Sequence, residues 1–300
     1  MKDEANATVA EWVEPVKFVS GLAAQYALAT ATWTPQYREP GQSISDVDEQ
    51  FGSTSDVEDP LLTAHRFAKF YLISAGDCLN SLSKLLDGGY PSLVGSSAIA
   101  RAAAEHASRS IYMSDANVDH SVRMLRVAAL VAASLREYKS SNDAGATILI
   151  KRWESWKART SKEFKNVPKQ TLGTATRLLE RYFSDGAIGY EELSRPTHGN
   201  ATWLAITVVS EQKGTAGARI FLMRNAMFST RCVVSAINSL ANLWGLDLDS
   251  VAQAAGGDLV VDPPLTWSRV EGAVRELTEV VASLDERHFV DSTPVPQPRR

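Results

Sequence analysis

Three features of the sequence predict an all-α fold built as a multi-helix bundle. Apolar residues recur at three-and-four spacing, as in Phe67, Tyr71, Cys78, Leu82 and Leu85. Helix starts are punctuated at Asp59-Pro60, where proline suits the first helical position, and at Ser268-x-x-Glu271, a capping box. An alanine-rich stretch, Leu93, Ser97, Ala100, Ala104, Ala107 and Ile111, gives a small-residue stripe on which another helix can sit closely.

Taken in order, Ala7 to Ala29 reads as a helix interrupted by Pro15 and Gly21. Residues 41–59 hold six acidic residues and no basic one, mixed with serine and glycine, and read as an exposed loop. Its carboxylates lack the glycine-and-glutamate spacing of a calcium loop. A helix then starts at Pro60 and stops at Gly88-Gly89. The next, about Ser92 to Ser114, places Arg101 and Glu105 four apart, beside the small-residue stripe, where they pair and stay partly covered. Helices follow at Val118 to Tyr138, with Met124, Val127, Ala128, Val131 and Leu135 inward, and at Ala146 to about Lys165.

Residues 151–181 hold nine basic and three acidic residues, a local net charge of +6. Lys151, Arg152, Lys157, Arg159 and Lys162 alternate with Trp153 and Trp156, a pattern that suits contact with a phosphate backbone. It equally suits a solvated face with its tryptophans in the core. A helix at Leu172 to Phe183 leads to Tyr190-Glu-Glu-Leu-Ser-Arg-Pro-Thr-His-Gly-Asn200, the densest cluster of reactive polar groups in the chain. Ser194 is expected to cap a helix after Pro196, with His198 in its first turns. The β-branched residues from Trp203 to Val209 also allow a short strand. A long helix from Ala218 to Trp244, a short one at Leu248 to Ala255 and one from the capping box to about Phe289 complete the chain. The expected organisation is an N-terminal extension and acidic loop (1–59), a core (60–245), a C-terminal helical appendage (246–290) and a mobile tail (291–300).

Composition sets limits on function. With 44% hydrophobic and 22% charged residues, 300 residues can bury a substantial core. A net charge of −4 gives no global attraction to nucleic acid or anionic membrane, so any such binding must be local. The acidic start without an apolar leader reads as cytoplasmic, and the apolar runs from Thr202 to Ser210 and from Val251 to Ala255 are too short to span a membrane. The two cysteines, Cys78 and Cys232, read as buried small hydrophobes rather than as ligands or a disulfide. His65, His106, His120 and His288 read as surface or core-edge residues. No phosphate loop, dinucleotide fingerprint or zinc-hydrolase motif occurs, and no cofactor is expected.

His198 can act as general acid or base, Arg101 or Arg195 can stabilise a pentavalent phosphate, and Glu105 or Tyr190 can orient them. The alternative is a polar clasp tying two helices in a non-catalytic interaction module. Arg101-x-x-x-Glu105 followed by Tyr190-x-x-x-Ser194-x-x-x-His198 and a long helix resembles bacterial helical families related to the HEPN superfamily, over about Pro60 to Trp244. The resemblance implies a helical bundle, often a homodimer, with metal-independent ribonuclease activity on RNA in defence or stress systems. That superfamily's signature places four to six residues between arginine and histidine. Here Arg195 and His198 have two between them, so Arg101 would supply the guanidinium.

Overall fold

The computed structural model describes residues 9–34, 38–39, 42–86, 92–135, 143–203, 205, 209, 216–256 and 265–284. It is all-α. Its helices are α1 (Val13–Thr32), α2 (Ile44–Phe51), α3 (Pro60–Leu85), α4 (Leu93–Ser114), α5 (His120–Leu135), α6 (Ala144–Arg159), α7 (Ala175–Tyr182), α8 (Gly186–Thr197), α9 (Ala216–Trp244), α10 (Leu248–Ala255) and α11 (Trp267–Ser283). Among the described residues the only strands are the two-residue β1 (Arg38–Glu39) and β2 (Gln42–Ser43), paired antiparallel.

Helices α1, α3, α4 and α9 pack on one another at the centre. Small buried residues on α1 (Ala23, Ala24, Ala27) and α4 (Ala100, Ala104, Ala107) permit this close approach. Around this centre, α5 sits on α3, α6 on α5, α7 and α8 on α4, and α11 on α9 and α1. The buried apolar residues form one cluster running from Val9 to Leu284, so the segments before residue 60 and after residue 245 share the core of 60–245. Buried polar ties set the height of α4 in the bundle. Asn225 of α9 donates to Ser97 at 3.0 Å, Ser229 donates to the Ala100 carbonyl at 3.0 Å, and Ser110 donates to the Ala68 carbonyl at 2.9 Å. Such bonds are costly to leave unmade in the core, so they select one register. Gly217–Trp244 is apolar and long enough to cross a membrane, but 78% of its most apolar window is buried inside the protein, as befits a central core helix.

Several expectations are corrected. Pro15 lies in the first turn of α1, where no intrahelical N–H bond is lost, so the helix is continuous through Gly21. The acidic segment is not simply a loop. Ser43 and Asp46 form a capping box that starts α2, and Asp48 on α2 accepts the N–H groups of Leu61 (2.6 Å) and Leu62 (3.0 Å). Asp59 is the N-cap residue of α3 and Pro60 its first helical residue, as expected, but the side-chain cap bonds come from Asp48, while the Asp59 carboxylate accepts from Thr63 and Arg66. The same device recurs at α11, where Asp249 of α10 accepts the N–H of Trp267 at 2.6 Å. The Ser268–Glu271 box does not form, and Glu271 accepts from Asn238 instead.

On α3 the core face is Leu61, Ala64, His65, Ala68, Leu72, Ala75 and Leu79. The stripe Phe67, Tyr71 and Cys78 is only half-buried. His65 is thus a core residue, receiving Trp244 Nε1–H on Nδ1 at 3.0 Å. Cys232 is buried as expected, while Cys78 is half-exposed, and both are free thiols. Ala201–Trp203, Ala205 and Val209 are helical, so no strand forms at these positions. The Gly88-Gly89 stop, the Pro263-Pro264 connector, His288 and the tail 291–300 lie outside the described residues.

Candidate functional site

Helix α8 packs on α4 and α7 and brings the focal segment onto Arg101. Ser194 and Pro196 lie inside α8 rather than before a new helix. Ser194 Oγ donates to the Tyr190 carbonyl at 2.7 Å, a back-bond within the helix. The helix ends at His198, the C-cap, with Gly199 in the left-handed region at φ 68°. The Asn200 N–H bonds back to the Arg195 carbonyl and the Gly199 N–H to the Pro196 carbonyl, the pattern of a Schellman cap. His198 therefore stands at the electronegative end of α8, not at a helix N-terminus. Asn200 then starts the next turn, its Oδ1 accepting the Trp203 N–H at 2.9 Å.

Arg101 is the hub. Its Nε donates to Glu105 Oε1 at 2.9 Å and to Tyr190 Oη at 3.1 Å. Its Nη1 donates to Thr197 Oγ1 at 3.1 Å and lies 3.0 Å from His198 Nε2. A guanidinium carries only donors, so Nε2 accepts and the neutral imidazole holds its proton on Nδ1. Tyr190 Oη donates to Glu105 Oε1 at 2.7 Å, closing a three-membered ring of bonds, and the Arg101 carbon lies 5.2 Å from the Tyr190 ring centre. The Arg101 and Glu105 side chains are 24% and 18% exposed, so solvent still reaches the edge of the cluster, and His198 is exposed.

The electrostatics follow this geometry. Burial opposes the Arg101 charge, but the bonds from Glu105 and Tyr190 outweigh it and hold the guanidinium above its ordinary value. Burial, reinforced by the Glu105 carboxylate, pushes the Tyr190 phenol up, so at neutral pH it is a donor.

Four of the five expected site residues, Arg101, Glu105, Tyr190 and His198, thus converge. The fifth does not: Arg195 pairs with Glu191 at 2.8 Å on the exposed side of α8. Two members of the cluster were not anticipated. Thr197 Oγ1 accepts from Arg101 while donating to the Ser194 carbonyl at 2.9 Å, and Arg109 reaches within 3.6 Å of Glu105 Oε2. Continuing the four-residue step from Arg101 through Glu105 would have found Arg109; nothing local distinguishes Thr197.

The basic segment behaves differently. Trp153 and Trp156 are buried, and Trp156 Nε1 donates to the Phe51 carbonyl at 2.9 Å. Arg159 is used structurally, donating to that carbonyl at 3.1 Å and to Asp56 at 3.3 Å. Lys151, Arg152, Lys157 and Lys162 are exposed. This helix docks on α5, whereas the Arg101 cluster lies between α4 and α8. Arg152, with Phe67, Leu149 and Trp153, lines a cavity of about 430 Å³. Among the described residues no group of three or more His, Cys, Asp or Glu is placed to hold a metal ion. Neither protein-family models, nor curated proteins, nor solved structures give a match to this chain.

Proposed function

We propose that this chain is a metal-independent ribonuclease of the HEPN kind, acting in a bacterial defence or stress system, with His198 as general base and Arg101 as the phosphate-stabilising cation. The observation that carries this reading is the 3.0 Å approach of Arg101 Nη1 to His198 Nε2 at the exposed edge of a cluster in which Glu105, Tyr190 and Thr197 also bond to Arg101. An RNA phosphate seated on Nη1 releases Nε2. The imidazole then takes the 2′-hydroxyl proton as the 2′-oxygen bonds to phosphorus. The bond from phosphorus to the 5′-oxygen breaks, that oxygen is protonated from solvent, and a 2′,3′-cyclic phosphate remains. Glu105, Tyr190 and Thr197 hold the guanidinium in place, which is worth most when no group must reorganise in the transition state.

The test is cleavage of RNA in EDTA by wild type, His198→Ala and Arg101→Ala, with thermal melts of each. Loss of a general base costs about 10²- to 10⁴-fold, and this loss with melting preserved supports the reading. A second reading is favoured by the number of bonds Arg101 makes across α4 and α8: the cluster is a clasp in a non-catalytic interaction module. It predicts no cleavage by any form and clearly lowered melting of both variants.

A further inference from the structure

The cavity of about 430 Å³ is bounded by the 52–59 connector, α3, α5 and α6, and no residue of the Arg101 cluster lines it. Its volume is that of a small-molecule site. Phe67, Leu130, Val131, Leu149 and Trp153 give it apolar walls. These walls are held in place: Trp153 is 8% exposed and stands edge-on to Trp156 at 5.5 Å, and in the connector the Ser53 N–H donates to the Val57 carbonyl at 2.8 Å. Leu149 is 46% exposed, so the apolar lining reaches solvent. A pre-shaped site of this kind costs a ligand little ordering.

The charges in the lining divide into two kinds. Asp56 accepts from Arg159 at 3.3 Å, and Asp59 accepts from Arg66 and Thr63, so both carboxylates are already engaged. Glu58 and Arg152 are exposed, and among the described residues neither has an ion pair or hydrogen bond, with the other or with a third group. An apolar cavity bordered by one unengaged carboxylate and one unengaged guanidinium matches a ligand with an apolar body and both charges at one end. Its carboxylate meets the guanidinium fork, and its ammonium meets the carboxylate. A phosphate backbone, which carries no cation, answers only half of this lining.

We infer that this cavity binds a free α-amino acid with a large apolar side chain. The α-carboxylate sits on Arg152, the α-ammonium on Glu58, and the side chain against Phe67 and Trp153. The site is independent of the ribonuclease reading, since the two share no residue.

The experiment is isothermal titration calorimetry on wild type, Glu58→Gln and Arg152→Gln, each checked by its melt. Both positions are exposed, so the fold tolerates the changes. The probes are L-phenylalanine, phenethylamine (no carboxylate), 3-phenylpropionate (no ammonium) and glycine (no apolar side chain). Wild type is expected to bind L-phenylalanine at one site, about 5-fold tighter than either probe lacking one charge, the scale for one solvent-reached ion pair. Glycine should give no measurable heat. In Arg152→Gln the advantage over phenethylamine disappears while that over 3-phenylpropionate remains; in Glu58→Gln the reverse holds. That crossed pattern assigns each ligand charge to its partner. L-phenylalanine that does not bind, equal binding of the three aromatic probes, glycine binding as well as L-phenylalanine, or ratios unchanged in both variants would each overturn the site.

Discussion

Arg101 Nη1 and His198 Nε2 stand 3.0 Å apart although the residues are 97 positions apart in the chain. The guanidinium meets four partners on two helices with its planar fork, which an ammonium on a flexible stem cannot reproduce. Arg101→Lys keeps the charge and loses the fork. On the ribonuclease reading, RNA cleavage falls by about 10²- to 10³-fold, the scale for loss of one transition-state donor, mainly in kcat. Steady-state kinetics on oligouridine check this. A variant with wild-type kcat would remove the guanidinium from the mechanism.

Tyr190 acts through others, since its hydroxyl donates to Glu105 Oε1 and accepts from Arg101 Nε. Tyr190→Phe removes only that oxygen. It should cost about 1 kcal/mol, the net worth of a typical bond, seen as a fall of about 2 °C in Tm for a chain of this size. If Tyr190 positions Arg101, kcat falls several-fold while KM holds. A lowered Tm with unchanged kcat would make the hydroxyl purely structural.

The helical class was legible because α3, α4, α9 and α10 carry strong local signals, and the Arg101–Glu105 pair follows from i,i+4 spacing alone. What misled was local punctuation. Ser194 and Pro196 resemble a helix start, but Gly199 terminates the helix they belong to, and the left-handed cap outweighs the proline because α8 is already packed on α4. Asp48 and Asp249 cap helices 13 and 18 residues away. Capping across an element boundary leaves no short-range motif. The outward position of Phe67 and Tyr71 was hidden for a related reason: α3 has a second face, with Leu61, Ala68, Leu72 and Leu79, and tertiary packing chose the smaller side chains. The joining of Tyr190 to Arg101, 89 positions apart, depends on how α8 folds back over α4.

Gly189 tests whether the placement of α8 controls the cluster. A Cβ there would lie 2.4 Å from the Phe228 ring, so Gly189→Ala forces either that ring or α8 itself to move. Overpacking of this kind costs about 1 to 3 kcal/mol, and Tyr190 is the next residue in the helix. On the ribonuclease reading cleavage falls with stability, and the double variant Gly189→Ala/Phe228→Leu recovers much of both. Recovery of Tm without recovery of activity would show that α8 position and activity are separable.

Two groups, the buried His65 and the half-buried Asp48, titrate with opposite effects on stability. Burial, aided by the charge of Arg123, pushes His65 down to about 3. The unfolded chain therefore binds its proton first, and stability contributed above about pH 6.5 is lost as pH falls toward 3, by about 2 kcal/mol between pH 7 and 5. Burial raises Asp48 to about 6 despite the Leu61 and Leu62 N–H groups and the charge of Arg66. The folded state binds that proton first, so its contribution is full below about pH 4 and is lost as pH rises through 6. In wild type the two slopes oppose each other between pH 6 and 4. Urea unfolding across that window should show the difference between His65→Gln and wild type shrinking as pH falls, because the variant lacks the group that must stay neutral. For Asp48→Asn the difference should grow as pH falls. Difference curves that run parallel to the pH axis for both variants would show that neither group is perturbed by its surroundings.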